Sequence, residues 1–369
     1  MLTNKPPEVT SAITEGAPSG ARPQSSDIRA FILSNVAEHP NQIANVAARH
    51  FRITRQAVSR HLKKLVDEGA LTAQGQTRSR SYRLTTLSDW THVYPMVPDL
   101  AEDQVWSRDV APVLGKLPQN VLDIWHFCFT EMFNNAIDHS GGSEIGVKII
   151  RTAADVQIQV RDNGIGIFRK IQAALNLVDE RHAVLELAKG KLTTEPKRHT
   201  GQGIFFTSRL VDRFNILSGG VFFSHASEKE EDWIVEEPHA ASAEGTLIVM
   251  KLSSQSVKTD KAIFDQFSSG DDYGFTKTVV PVRLAQYGED KLISRSQAKR
   301  LLSRVDLFRT VLFDFDGVET IGQAFADEIF RVFARDHPQT EVISINATPD
   351  VQRTIAAARA QWASEIAGV

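Results

Sequence analysis

Three short stretches carry the side chains best suited to chemistry. The first is EMFNNAIDHS, residues 131–140, where Glu131, Asn135 and Asp138 recur at i, i+4 and i+7. That spacing sets a carboxylate, an amide and a second carboxylate on one helical stripe. Ile124, Phe127, Phe133 and Ile137 nearby are apolar, so the same helix has a face to bury. The second stretch is DNGIGI, residues 162–167, directly after the strand-like VQIQVR. Asp162 can accept hydrogen bonds, and Gly164 and Gly166 permit close backbone approach to a ligand. The third is GQG, with Gly201 and Gly203 opening a helical pattern whose free N–H groups favour an anion. Each stretch alone also reads as ordinary structure: a solvated helix face, an Asp-Asn-Gly turn, a flexible loop.

The surrounding pattern supplies the elements that must hold them. Residues 106–253 read as a helix over 121–138, strands at 144–150 and 156–161, about 33 strand-free residues (168–200), and a helix from 203. Strands follow near 215–217, 220–224, 232–235 and 246–251. This is an α+β block, with helices over one face of a mostly antiparallel sheet.

In this order, a carboxylate-plus-Asn helix, D-x-G-x-G, a long insert and G-x-G before a helix resemble the GHKL ATPase family (gyrase-type ATPases, large ATP-dependent heat-shock chaperones, sensor histidine kinases, anti-sigma-factor serine kinases). The resemblance spans about 130–150 residues. It implies ATP and Mg²⁺ as cofactors. By it, Asn135 chelates the Mg²⁺, Glu131 is the general base for water or a hydroxyl, and Asp162 accepts from the adenine amino group. Gly164 and Gly166 let the base lie on backbone, Gly201 and Gly203 wrap the phosphates, and Thr246 supports the adenine pocket. Residues 168–200 become a lid, whose Lys189, Lys191, Lys197 and Arg198 either approach phosphate or are solvated. Competing motifs fail. No G-x-x-x-x-G-K-[ST] is present, and Arg169 stands where a dinucleotide fingerprint needs its third glycine. A histidine kinase needs a phosphoacceptor on a long dimerising helix, whereas residues 87–117 offer His92 without one. NNAIDHS looks closer to the anti-sigma serine kinases.

Two further blocks flank this one. Residues 25–86 read as three helices and a hairpin, a winged helix-turn-helix. Its third helix, capped by Thr54, turns Arg55, Gln56, Ser59, Arg60 and Lys63 outward, side chains suited to the major groove, and Arg78 and Arg80 sit on the wing. After a polar linker, residues 257–275, the segment 276–369 alternates strands (279–284, 311–315, 341–345) with helices (296–305, 322–334, 351–363), a small α/β domain. VLFDFDGV imitates a haloacid-dehalogenase nucleophile motif, but too little chain follows it. DFDGVETIGQAFADEIFRVF instead resembles the STAS-like fold of anti-sigma-factor antagonists, with Thr320 near the phosphoacceptor place and the neighbouring Ser lost.

The totals bound the rest. The chain has 369 residues, a formal charge of −3 and one cysteine, which excludes a disulfide framework and points to a reducing cytoplasm. No segment approaches a membrane span. Residues 1–24 read as a disordered tail. The expectation is therefore a multi-domain α+β regulator: winged helix, GHKL α/β sandwich and STAS-like α/β domain. Its expected partners are DNA, a STAS-like or other regulatory protein, and a second copy of itself. A GHKL ATPase effector and a non-catalytic nucleotide scaffold are the alternatives.

Overall fold

The computed structural model describes residues 24–76, 79–193, 200–227, 231–236, 244–269, 272–286 and 291–367. The chain divides into two compact units, the first ending at Leu87 and taking in Thr152–Ala154, the second built from Ser88–Arg151 and Asp155 onward. The tail expected over 1–24 falls almost wholly outside the described residues.

In the first unit, helices α1 (Ser25–Asn35), α2 (Ile43–His50) and α3 (Arg55–Asp67) precede the hairpin β1 (Leu71–Gln74) and β2 (Ser81–Leu84). The Thr54 hydroxyl starts α3 by accepting the Ala57 N–H at 3.2 Å. Gly69, at φ +72°, lets the chain leave the helix in the left-handed region. Val58, Leu62 and Leu65 recur at helical spacing and are buried with Ile28, Ile32 and Ile43. The hairpin is antiparallel, Leu71 opposite Leu84.

The second unit holds an antiparallel sheet with strand order β3-β4-β5-β9-β6-β7-β8 among the described residues. The strands are β3 (Ser88–Pro95), β4 (Glu144–Arg151), β5 (Asp155–Asp162), β6 (Arg213–Ser218), β7 (Val221–Ala226), β8 (Glu231–Glu236) and β9 (Thr246–Ser253). Strict alternation sends Val156, Ile158 and Val160 of β5 inward. Ile158, Met250 and Phe214 face one another across three strands and are buried. Short helices α4 (Glu102–Val105) and α5 (Ala111–Leu114), joined by a π-helical turn, lead into α6 (Gln119–His139). The apolar stripe of α6, from Ile124 to Phe133, is fully buried. Next come α7 (Ile167–Leu175), α8 (Glu180–Lys189) and α9 (Gly203–Leu210).

Strand β3 was not foreseen: it pairs along β4, Trp90 opposite Ile149 and Tyr94 opposite Ile145. The helix from Gly203 ends sooner than its pattern, because the Asp212 carboxylate accepts the Ser253 N–H at 2.7 Å and turns the following residues into β6.

Residues 257–275, expected as a linker, carry α10 (Asp260–Phe267), whose start is capped by Thr259. The short strands β10 (Ser268–Ser269) and β11 (Asp272–Phe275) follow. The polar residues there hide three phenylalanines: Phe264 meets Phe127, and Phe267 and Phe275 meet Phe205.

A second sheet is parallel: β12 (Lys277–Pro281), β13 (Thr310–Asp314) and β14 (Glu341–Ile345). Parallel neighbours need crossovers. Helix α11 (Arg295–Leu302) supplies the first. The helical run α12 (Gln323–Asp327), a π-helical turn and α13 (Ala334–Asp336) supplies the second. The strand expected over 279–284 lies at 277–281, because Pro281 ends it and residues 282–285 form a 3₁₀ turn. Helix α14 (Pro349–Ala367) closes the chain. One apolar core runs through this whole unit, from Tyr94 to Ala358. Among the described residues no helix is long and apolar enough to cross a membrane.

Candidate functional site

Helix α6, the ends of β5 and β9, the start of α7 and the first turn of α9 enclose a cavity of about 270 Å³. The apolar face of α6 is held against the sheet, so Glu131, Asn135 and His139 are turned into the cavity. Asp162 enters from β5, Thr246 from β9, Lys170 from α7, and Gly201–Gly203 form the opposite rim.

Asp162 is only 6% exposed. Its Oδ1 accepts N–H bonds from Gly164 (2.9 Å) and Thr246 (3.2 Å), while Thr246 Oγ1 accepts from Ile167 N–H at 3.0 Å. Burial pushes the Asp162 carboxyl above its usual range, and the two backbone N–H bonds only partly oppose that. The result is a fixed, partly desolvated acceptor, a group that can read an amino donor.

The two glycines of DNGIGI are packed closely against neighbouring parts of the chain. A side chain at Gly164 would collide with the Ser140 carbonyl, which accepts the Ile165 N–H at 3.0 Å. A Cβ at Gly166, where φ is +89°, would stand 2.7 Å from Ser218 Oγ. Their smallness serves protein–protein closeness, anchoring the turn on which Asp162 sits. Asn163, which the sequence reading passed over, completes that anchor: its Oδ1 accepts the Ser143 (2.8 Å) and Glu144 (3.2 Å) N–H groups. Its signal was present, since Asn in such a turn readily bonds backbone.

On the opposite rim, Gly201 has φ +67°, and a Cβ there would meet the Leu192 backbone at 2.5 Å. Leu192 N–H donates to Gly201 O at 3.2 Å, tying residue 192 to the glycine turn. A Cβ at Gly203 would collide with Glu131 Oε2. The Glu131 carboxylate therefore rests against the first turn of α9, which has no side-chain cap. Glu131 and Asn135 are both half-buried; Asp138 is exposed, and neither it nor Asn134 lines the cavity.

The lid lysines are placed elsewhere than expected. Lys189 is fully buried; its Nζ donates to Glu186 Oε1 (2.8 Å), Ser303 O (2.8 Å) and Arg300 O (3.2 Å). Lys191 donates to Leu307 O at 2.7 Å and lies 4.5 Å from the Phe308 ring centre. Residues 183–189 of α8 are buried throughout, and a buried ammonium must find acceptors, so Lys189 is spent on these carbonyls; neither it nor Lys191 lines the cavity. Lys197 and Arg198 lie outside the described residues. Lys170 is the lysine that lines the cavity, donating to His139 O at 3.0 Å with Nδ1 of that ring 3.4 Å away. Sequence gave no sign of it, since FRK at a helix start reads as solvated.

Among the described residues no cluster of three or more His, Cys, Asp or Glu could hold a metal by itself. The oxygen donors Asn135 and Glu131 suit a hard cation such as Mg²⁺ that arrives with phosphate oxygens.

In the first unit Arg55, Gln56, Ser59, Arg60 and Lys63 are all exposed, on the outer side of α3. Arg80 is exposed beside Tyr82, and Arg78 lies outside the described residues. Thr320 is exposed in the loop after β13. Asp314 at that strand's end is buried and accepts from Asp316 N–H and Asn346 Nδ2, both at 3.0 Å, a structural use of the DFDG carboxylate.

Comparison with protein families agrees with this layout. Residues 26–80 match the MarR family, residues 104–221 the histidine kinase-like ATPase domain, and residues 297–352 a STAS-like domain of unknown function. No curated protein matches the chain. In chain order, this protein joins a MarR-type winged helix, a histidine kinase-like ATPase domain and a STAS-like domain.

Proposed function

We propose that the protein is an ATP-binding transcriptional regulator, in which the winged helix binds DNA and Mg-ATP in the α6–β5–α9 cavity governs the rest of the chain. The carrying observation is the convergence on one cavity of Asn135, Glu131, Asp162, Thr246 and the Gly201–Gly203 turn, spread over 115 residues of sequence. The residues fit the nucleotide: a buried acceptor beside Thr246 for the adenine amino group, amide and carboxylate oxygens for Mg²⁺, and open N–H groups at α9 for phosphate. Mg²⁺ bound with the nucleotide would neutralise phosphate charge, and Asn135 would be one of its ligands. Glu131 accepts the proton of the attacking hydroxyl, whether that belongs to water or to a protein side chain. Asp162 orients the base, and Gly201 and Gly203 keep side chains away from the phosphate path.

Kinase activity on a STAS-like domain is the second reading, and the exposure of Thr320 on its loop favours it. Incubation with γ-labelled ATP and Mg²⁺ tests both. Label retained on Thr320, and lost in Thr320→Ala, supports the kinase. Phosphate released without protein label supports an ATPase, and binding with neither supports a ligand-held switch or scaffold. Unchanged Mg-ATP binding by Asn135→Ala would refute the nucleotide assignment itself.

A further inference from the structure

Helix α8 lies between the cavity and the STAS-like domain. On one side, Leu187, and Leu192 and Thr193 just beyond the helix, line the cavity. Because Leu192 N–H bonds Gly201 O, the exit of α8 also fixes the glycine turn that opens α9. On the other side, the STAS-like domain and the residues leading into it grip the helix. Thr278 Oγ1 donates to Lys189 O at 2.6 Å, and Arg181 Nη2 donates to Gln286 O at 2.9 Å. Lys189 Nζ reaches the carbonyls of Arg300 and Ser303. Arg304 Nη1 pairs with Glu186 Oε2 at 3.2 Å, and its Nη2 bonds Lys191 O.

We propose that Arg304, Glu186 and Lys189 form a positioning group of the nucleotide site, through which the STAS-like domain holds α8 where its end closes the cavity. This rests on the ATP reading above. The physical reason is that α8 has no inexpensive alternative place. Sliding or turning it leaves Glu186 or Lys189 buried without its partner, whereas a solvated lid would drift freely. Nucleotide affinity is then shared between two domains. Thermodynamic reciprocity requires that a bound nucleotide tighten the grip on Arg300–Leu307 by the same factor. The STAS-like domain thus registers occupancy of the cavity without being phosphorylated.

The test uses the full chain with Arg304→Ala and Arg304→Lys, titrated calorimetrically with ATP and with adenosine. Arg304→Ala should weaken ATP about tenfold, within the usual range of coupling between sites. Adenosine should lose less, because the ATP reading assigns the Gly201–Gly203 turn beside Thr193 to the phosphates, and Arg304→Lys should recover part of the loss. Both variants binding ATP within about twofold of the parent would overturn the proposal. A second measurement needs no variant: hydrogen exchange of the wild-type chain with and without saturating ATP. Amides of residues 180–193 and 300–308 should slow together. Slowing at 180–193 with none at 300–308 would overturn the coupling while leaving ATP binding intact. A wild-type chain that binds neither ATP nor adenosine would remove the nucleotide reading and this proposal with it.

Discussion

Removing the two charges of the buried Glu186–Lys189 pair should have very unequal effects. Burial opposes the Glu186 charge, but His182, Lys189 and Arg304 outweigh it and draw the carboxyl from 4.5 down to about 2. Burial draws the Lys189 ammonium from 10.5 down to about 8, against the pull of Glu186. At neutral pH the first change favours folding and the second opposes it. The pair is near break-even as a source of stability, as buried ion pairs often are. Breaking it is another matter. Glu186→Gln leaves the Lys189 ammonium buried among neutral acceptors with no opposite charge and should cost about 3–5 kcal/mol. Lys189→Met leaves Glu186 beside Arg304 and His182 and should cost less. Glu186→Gln combined with Lys189→Met should recover much of the larger loss, because Arg304 is 22% exposed and can turn to water. Urea unfolding followed by the fluorescence of tryptophans such as buried Trp125 would measure this cycle. A Lys189→Met cost above that of Glu186→Gln, or a coupling below about 0.5 kcal/mol, would refute the reasoning. The pH dependence carries the same signature. The Glu186 contribution is complete above about pH 4.5 and is lost as pH falls towards 2. The Lys189 penalty is complete below about pH 8 and lifts as pH rises towards 10.5, so Lys189→Met should flatten the alkaline gain in stability.

Three other outcomes follow from the geometry. Gly203→Ala forces a methyl into the Glu131 carboxylate; turnover of ATP should fall at least about tenfold by steady-state kinetics, with an overpacking cost of about 1–3 kcal/mol in thermal unfolding. Asp162→Asn keeps an acceptor for Gly164 and Thr246 and relieves a buried charge, so its melting temperature should hold or rise. The preference for ATP over GTP in competition binding should collapse, and an intact preference would show that Asp162 does not read the base. Arg60→Ala should weaken a specific DNA complex by about 1–3 kcal/mol and relax selection at one base pair, readable in a shift assay at fixed salt.

Several residues that line the cavity stood out in the sequence because their signals are local. Glu131 and Asn135 share a helical stripe whose apolar partners were plain. Asp162 follows an alternating strand, and Gly201–Gly203 open a helix. The parallel strands of the last sheet were legible from short apolar runs. What escaped was non-local or masked by composition. Strand β3 has mixed burial, so Trp90 and Tyr94 stand among polar residues without a clean alternation. Phe264, Phe267 and Phe275 sit within a serine- and aspartate-rich stretch, and only the fold shows that they converge on Phe127 and Phe205. Lys189 looked like any lid lysine, because its acceptors lie 111 and 114 residues away. Lys170 owes its place in the cavity to the packing of α7, which no spacing rule announces.

That separation has a consequence in time. At translation rates of about 5–20 residues per second, Ser303 leaves the ribosome roughly 6–23 s after Lys189. Strands β6–β9 are made within that interval, and until it ends the Lys189 ammonium has Glu186 beside it but lacks the Arg300 and Ser303 carbonyls. The winged helix, a separate compact unit, is complete long before. A chain cut short after residue 256 would accordingly keep its MarR-type winged helix, while α8 lost the Thr278, Arg300, Ser303 and Arg304 contacts that hold it.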